Sequence, residues 1–497
     1  MHLFKAFILF ITIFLSVIVK GQSNGTLIVP HIQSGVAELT GKLTGNNEIQ
    51  SKTLSLSVGN PITSERTEYE IPIKEDGSFS QSVSLTSINI GNIRSDIYNG
   101  GVPLIPGKKT ILNITFDDSK GDKKVDLKSD LGVTADDMMN ITDAMMEILM
   151  QPIRPDNYNM SPQALADYTI NRMGEILKTL EANTKLSDTA KQLVEINAKL
   201  FYLDNILLDY NGIMNITYMR QHKVDSVPSD FHLKEPDKSY YSVLKEFNLN
   251  DPICLYADYY PIVLQSLLKN QTLNIPSIGE TPITDWLVEA KAILQDCIGS
   301  DNGLFYDLLV ASAYNMQLKE MIPLTKVQIK NIQAYYKESP FIDILFNENN
   351  RVIQLGADSQ ALVVNEKTAG LMDSIVSKYK GKVIFVDFWA TWCGPCLTAM
   401  KESKQIKEEF DNKGVIFVYI TNDTSPRRTW QQKISEMKGE HYYLSSKEWD
   451  EVLDQFGFSS IPTYLIYNKE GELKHKSTPF MGAKNMKEWI DELLQDK

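Results

Sequence analysis

Cysteine is scarce: four in 497 residues, too few for a disulfide-dense scaffold. Histidine is nearly as rare, and His2, His31, His222, His232, His441 and His475 lack the spacing of a ligand set, so no metal centre is expected. Positive charge is outnumbered, with 50 Lys and Arg against 63 Asp and Glu. The net charge of -13 repels phosphate backbones, so no nucleic-acid partner is expected. A phosphate-binding loop is missing too: Gly35 to Gly41-Lys42 and Gly101 to Gly107-Lys108 both lack the spacing and the following Ser or Thr. Beyond the amino terminus, no apolar run approaches the ~18 residues of a membrane span.

What the chain has is length. At ~150 residues per domain, about three domains are expected. Composition is that of an ordinary folded protein, 43% apolar and 23% charged, with 27 Gly and 20 Pro.

Lys5 precedes an apolar stretch from Ala6 to Val19, interrupted by Thr12 and Ser16 and closed by Lys20-Gly21-Gln22. With small side chains at Val19 and Gly21, residues 1–21 read as a secretory signal cleaved after Gly21. The competing reading is an uncleaved, short membrane anchor. No cysteine follows for lipid attachment. The mature protein is therefore expected outside the cytoplasm, in a periplasmic or cell-envelope space where disulfides persist.

Three folded regions are expected. Residues 22–120 alternate apolar and polar side chains, as in Thr53-Leu54-Ser55-Leu56-Ser57-Val58, and predict an antiparallel β-sandwich of six or seven strands. Glu75-Asp76-Gly77 predicts a hairpin between Tyr69–Ile73 and Phe79–Leu85. Asp117 to Asp130 reads as a charged linker. Residues 131–345 shift to helical spacing and predict an all-helical middle domain of about eight segments. Ser161-Pro162, Asp251-Pro252 and Thr281-Pro282 mark helix starts. Leu193, Ile196, Leu200, Leu203, Leu207 and Tyr210 predict one apolar stripe on a long helix. Cys254 and Cys297 are candidates for a structural disulfide, with two buried thiols as the alternative.

The chemistry lies in residues 350–497. Val383-Ile384-Phe385-Val386 reads as a strand covered on both faces. Asp387-Phe388-Trp389-Ala390-Thr391-Trp392-Cys393-Gly394-Pro395-Cys396 follows, and then Ala399, Met400, Ser403, Ile406, Lys407 and Phe410 at helical spacing. Cys393 thus falls at a helix amino end, where unpaired amides and the helix dipole favour a thiolate. Cys396, one turn on, is within reach to resolve a mixed disulfide on Cys393. A zinc site would need a second ligand pair, which is missing, and cysteine-protease chemistry has no use for the second thiol. A carboxylate following four apolar strand residues, Asp387, is costly to bury ionised and should have a raised pKa.

These residues closely resemble the thioredoxin superfamily, and within it the secreted, multi-domain TlpA/ResA-like thiol-disulfide oxidoreductases. The resemblance covers about Asn365 to Lys497 and extends to Ile461-Pro462-Thr463, to a hairpin from Tyr464 to Ser477, and to a closing helix from Asn485. It implies an α/β thioredoxin-like fold, with Asn422 to His441 as a TlpA-type helical insertion. It also implies that Pro462 is cis beside the sulfurs, that the Ile461 backbone pairs with an incoming peptide, and that Trp392, Gly394 and Pro395 rim the site. Asp387 would be the general base for Cys396. Many ResA-like relatives place a glutamate where this chain has Ala399, so the thioredoxin arrangement of the acid is expected, and Glu402 is expected to be a solvated surface charge. The implied activity is protein-disulfide reduction with no cofactor beyond the Cys393/Cys396 pair. The implied partners are disulfide-containing proteins and an unidentified membrane thiol donor. A competing reading makes the chain an envelope binding or scaffold protein with a redox switch. A thiol peroxidase is a weaker alternative, since Thr391 stands one residue short of the Thr-x-x-Cys spacing.

Overall fold

The computed structural model describes residues 27–45, 53–117, 122–151, 153–228, 230–358, 370–435 and 437–495. The signal expected over 1–21 lies outside them. The chain forms two compact units, Met1–Glu235 with Pro252–Tyr260, and Pro236–Asp251 with Pro261–Lys497. The helical stretch expected as one middle domain is therefore shared between two units.

The strands of the first unit are β1 (Gly35–Thr44), β2 (Thr53–Gly59), β3 (Arg66–Pro72), β4 (Ser78–Leu85), β5 (Asn89–Arg94), β6 (Asn99–Leu104), β7 (Lys109–Asp117) and β8 (Asp122–Lys128). They make two four-stranded sheets, ordered β4-β1-β7-β8 and β3-β2-β5-β6. Alternate side chains of both, such as Leu39, Val83 and Leu112 from one and Leu56, Ile71 and Val102 from the other, join a single apolar cluster.

Three expectations change here. The Glu75-Asp76-Gly77 turn forms, with the Lys74 amide donating to the Ser78 carbonyl at 2.9 Å, but β3 pairs with β2 and β4 with β1. The turn is thus a crossover between sheets and not a hairpin. Pairing is not purely antiparallel, since β1 runs parallel to β7. Asp117 to Asp130 contains a strand, β8, antiparallel to β7 at the sheet edge, where alternating Lys and Asp can stay solvated.

Helices α1 (Ala135–Leu149), α2 (Pro162–Glu181), α3 (Asp188–Tyr202) and α4 (Tyr210–His222) follow. Ser161 caps α2 by accepting the Ala164 amide, as its Ser-Pro signal predicts. The apolar stripe from Leu193 to Tyr210 does not ride one helix: a π-helical turn at Leu203–Leu207 separates α3 from α4. Pro252–Tyr256 forms a 3-10 turn.

The second unit contains a 3-10 segment, Lys238–Phe247, then α5 (Tyr260–Lys269), α6 (Ile283–Ile298), α7 (Leu304–Lys319), α8 (Lys326–Tyr336), α9 (Phe341–Asp358) and α10 (Leu371–Lys378). Pro282 rather than Thr281 precedes α6, without a side-chain cap. Cys254 lies in the first unit and Cys297 in the second, and neither is disulfide-bonded. Both are buried small hydrophobes. Burial raises the Cys297 thiol above its ordinary pKa, and its sulfur donates to the Ile293 carbonyl of its own helix at 3.8 Å. A thiol held protonated in this way is poorly disposed to oxidation.

The remaining elements are β9 (Val383–Phe388), α11 (Gly394–Glu409), β10 (Val415–Asn422), α12 (Arg427–Ile434), β11 (Glu440–Leu444), α13 (Ser446–Phe456), β12 (Thr463–Tyr467), β13 (Leu473–Ser477) and α14 (Ala483–Gln495). They build a five-stranded sheet ordered β11-β10-β9-β12-β13, with β9 in the centre. β10 lies parallel to β9 and β12 antiparallel. Every β9 residue is buried because both faces are covered. Val383 and Phe385 join one cluster with residues of α11, α12 and α14. Ile384, Val386 and Phe388 join the opposite cluster, with Leu371 and Ile375 of α10 and Trp449 and Val452 of α13. The hairpin between β12 and β13 forms as expected, and α14 starts two residues before Asn485.

Candidate redox site

Strand alternation places Asp387 on the same face as Phe385, the face covered by α11. The chain leaves β9 through Trp389 to Trp392 and enters α11 at Cys393, which is its N-cap. The Cys393 sulfur accepts the Cys396 amide at 3.2 Å, and Pro395 occupies the first turn, where its missing N–H costs nothing. Cys393 and Cys396 are joined in a disulfide with Cα atoms 5.3 Å apart. Both are buried, while Trp392, Gly394 and Pro395 are exposed around them. Trp392 is 62% exposed, yet its indole N–H donates to Thr424 Oγ1 at 3.0 Å. Trp389, by contrast, is fully buried in the cluster that holds both sulfurs.

The Ile461-Pro462 peptide bond is cis, and Ile461 packs against the cluster that holds both cysteines. Pro462 is buried. Glu402 is exposed and Ala399 buried, so no second carboxylate replaces the missing glutamate on the inner face of α11.

Asp387 is 1% exposed, and burial pushes its carboxyl up to about 6, against the opposing pull of Lys407. Lys407 Nζ lies 3.5 Å from Asp387 Oδ2, while Oδ1 has no hydrogen-bond donor among the described residues. A buried acceptor without a donor suits either a protonated carboxyl or a bridging water. Tyr419 of β10 and Tyr464 of β12 are the cross-strand partners of Asp387 on its two sides. The ammonium sits 4.6 Å from the Tyr419 ring centre and 5.9 Å from both Phe385 and Phe417. Burial depresses the Lys407 pKa, but Tyr419 and Asp387 outweigh it and hold the ammonium above its ordinary value. Burial, reinforced by Asp387, pushes the Tyr464 hydroxyl well above its ordinary pKa.

Lys407, Tyr419 and Tyr464 were not anticipated as site residues. For Lys407 a signal existed: it stands four residues after Ser403 and seven after Met400, on the stripe that packs inward. Only the sheet pairing brings the two tyrosines to the acid. The loop from Asn422 to Pro426 was missed as well. Ser425 Oγ accepts the Thr391 amide at 3.0 Å and shares a 2.7 Å hydrogen bond with Thr421, while Thr424 holds Trp392.

The arrangement is a dithiol/disulfide couple at a helix amino end, with a buried acid that titrates at about 6 on the sheet face covered by that helix. A family model described as thioredoxin-like matches residues 381–473. The chain is 26% identical over 118 residues to the thiol-disulfide oxidoreductase ResA of Geobacillus thermodenitrificans, covering 24% of this chain and 67% of that one. It is 32% identical over 73 residues to a thioredoxin of Coprinus comatus, covering 15% of this chain and 69% of that relative. The chain belongs to the thioredoxin superfamily. The thioredoxin-like region is its carboxyl-terminal part, of ResA-like type. Among solved structures, a putative thiol-disulfide oxidoreductase from Bacteroides vulgatus aligns at 24% identity and a TM-score of 0.21, over 24% of this chain and 82% of that one. The chain spans about two thirds of the length of the curated relatives just named. No helix among the described residues is long and apolar enough to cross a membrane.

Proposed function

We propose that the chain is an extracytoplasmic thiol-disulfide oxidoreductase that reduces protein disulfides. The observation that carries this reading is the Cys393 sulfur at the α11 N-cap, accepting the Cys396 amide, with Asp387 buried on the β9 face that α11 covers. The Cys393 thiolate attacks one sulfur of a substrate disulfide, forming a Cys393–substrate bond and expelling the other sulfur as a thiolate. Cys396 gives its proton to Asp387, through a water, and attacks Cys393. The second substrate thiolate leaves, and two electrons have passed from the Cys393/Cys396 pair to the substrate. An external thiol donor must then restore the dithiol.

In this reading Trp392, Gly394 and Pro395 form the rim that meets the substrate, and the Ile461 backbone beside Pro462 pairs with its peptide. The Gly-Pro pair between the cysteines is that of thioredoxin, which lies near ~-270 mV. The two upstream sheets act as a β-sandwich docking module, and Asn422 to His441 is the TlpA-type insertion. The test uses the full chain with Cys396→Ser, exposed to envelope extract. A stable, reducible mixed disulfide through Cys393 supports the assignment. No trapped species, or a potential near ~-120 mV, reverses it.

A further inference from the structure

One buried ion pair near the site has no part in the chemistry above. Arg428 of α12 is 1% exposed, and its guanidinium meets the carboxylate of Glu348 on α9. This eight-residue helix turns two faces inward. Trp430 and Ile434, four apart, join the apolar cluster that contains Cys393 and Cys396. Arg428 and Gln431, three apart, are buried as well. α9 packs against α12 and contributes the acid that makes a buried guanidinium tolerable.

Immediately before α12, the Asn422–Pro426 loop holds Thr391 and Trp392, the two residues that precede Cys393. Thr424 accepts the Trp392 indole N–H and donates to Asn422 Oδ1 at 2.6 Å. Ser425 accepts the Thr391 amide, and the Tyr443 hydroxyl donates to the Ser425 carbonyl at 2.6 Å. Arg428 is three residues from Ser425, so a shift of α12 against α9 is carried by covalent chain into the groups that hold Thr391 and Trp392, next to Cys393.

We infer that Glu348 and Arg428 are positioning residues: α9, outside the 381–473 segment matched by the family model, sets the Trp392 rim and so the fit of a protein substrate. This rests on the reading that the Trp392 rim receives a protein disulfide. Glu348→Gln, Arg428→Met and the exchanged double variant Glu348→Arg/Arg428→Glu are compared in the full chain. Three readouts are taken: kcat and KM for insulin reduction, the alkylation rate of reduced Cys393, and the 19F resonance of 5-fluorotryptophan at position 392, assigned by its loss in Trp392→Phe.

Each single variant raises KM by about ten-fold with kcat within about two-fold, shifts the Trp392 resonance, and leaves Cys393 alkylation unchanged. The exchanged pair restores KM. If the single variants fail to fold, Glu348→Asp and Arg428→Lys are read in the same way, with smaller displacements in the same direction. A lowered melting temperature with KM and the Trp392 resonance unmoved overturns the inference. An unreactive Cys393 in the unmutated chain refutes the reductase reading instead, and the 19F comparison still decides whether α9 sets the rim.

Discussion

Replacing Asp387 by Asn isolates the energetic cost of the buried acid. In the unfolded chain the carboxyl titrates near its ordinary 3.8, and in the folded chain at about 6. A folded-state pKa raised above the unfolded value means the ionised group opposes folding. At pH below 3.8 both states hold the proton and the difference vanishes. As pH climbs, the unfolded chain ionises first, and stability falls until the folded carboxyl also ionises near 6. At ~1.4 kcal/mol per pH unit, this interval amounts to about 3 kcal/mol lost above it.

Asp387→Asn removes that pH dependence. In the oxidised protein it should raise stability at pH 7.5 by at most about 3 kcal/mol, less whatever Lys407 loses with its counterion, and change little at pH 4. Urea unfolding of both proteins at the two pH values measures this. Equal loss of stability from pH 4 to 7.5 in the two proteins would refute the burial argument. The same variant should slow resolution of the mixed disulfide by about 100-fold, and in the parent chain that step should weaken as pH drops through about 6, where Asp387 takes up its proton.

Lys407→Met removes the cation that holds the Asp387 pKa down, so the acid limb of the resolution profile should move to higher pH; a limb that stays in place would separate the ammonium from the acid. Cys393→Ser should abolish insulin reduction and trap nothing, in contrast to Cys396→Ser. Thiol titration of the unreduced chain in denaturant should count two reactive thiols, Cys254 and Cys297, rising to four after reduction. A count of zero before reduction would mean that those two are bonded. Trp392→Ala should raise KM for a protein disulfide by about ten-fold while sparing small disulfides, because an exposed aromatic rim adds contact area without touching the reacting sulfurs.

Local patterns made most of the redox site readable. Four apolar strand residues, an acid, two cysteines one turn apart and a helical stripe lie within thirty residues, and each rests on interactions between near neighbours in the chain. The cap at Ser161 and the turn at Glu75-Asp76-Gly77 were legible for the same reason. The mistaken hairpin shows the boundary of that reasoning. The turn's own hydrogen bonds are local, but the sheet each strand joins depends on partners as distant as Gly35 to Thr44. Likewise Asp122–Lys128 looked like a linker because an edge strand can carry charge on its open side, and edge status is a property of the whole sheet.

The amino-acid order by itself determined the spacing of the cysteine pair, the helix that holds it and the burial of Asp387, because those follow from backbone geometry and hydrophobic period over a few turns. Tertiary packing alone decided which groups surround the acid. Lys407 reaches it across a helix–sheet interface, Tyr419 and Tyr464 arrive from neighbouring strands, and Glu348 reaches Arg428 from a helix outside the thioredoxin-like match. Such contacts follow from chain closure over dozens of residues, and no short pattern encodes which distant side chains will share a dry interior.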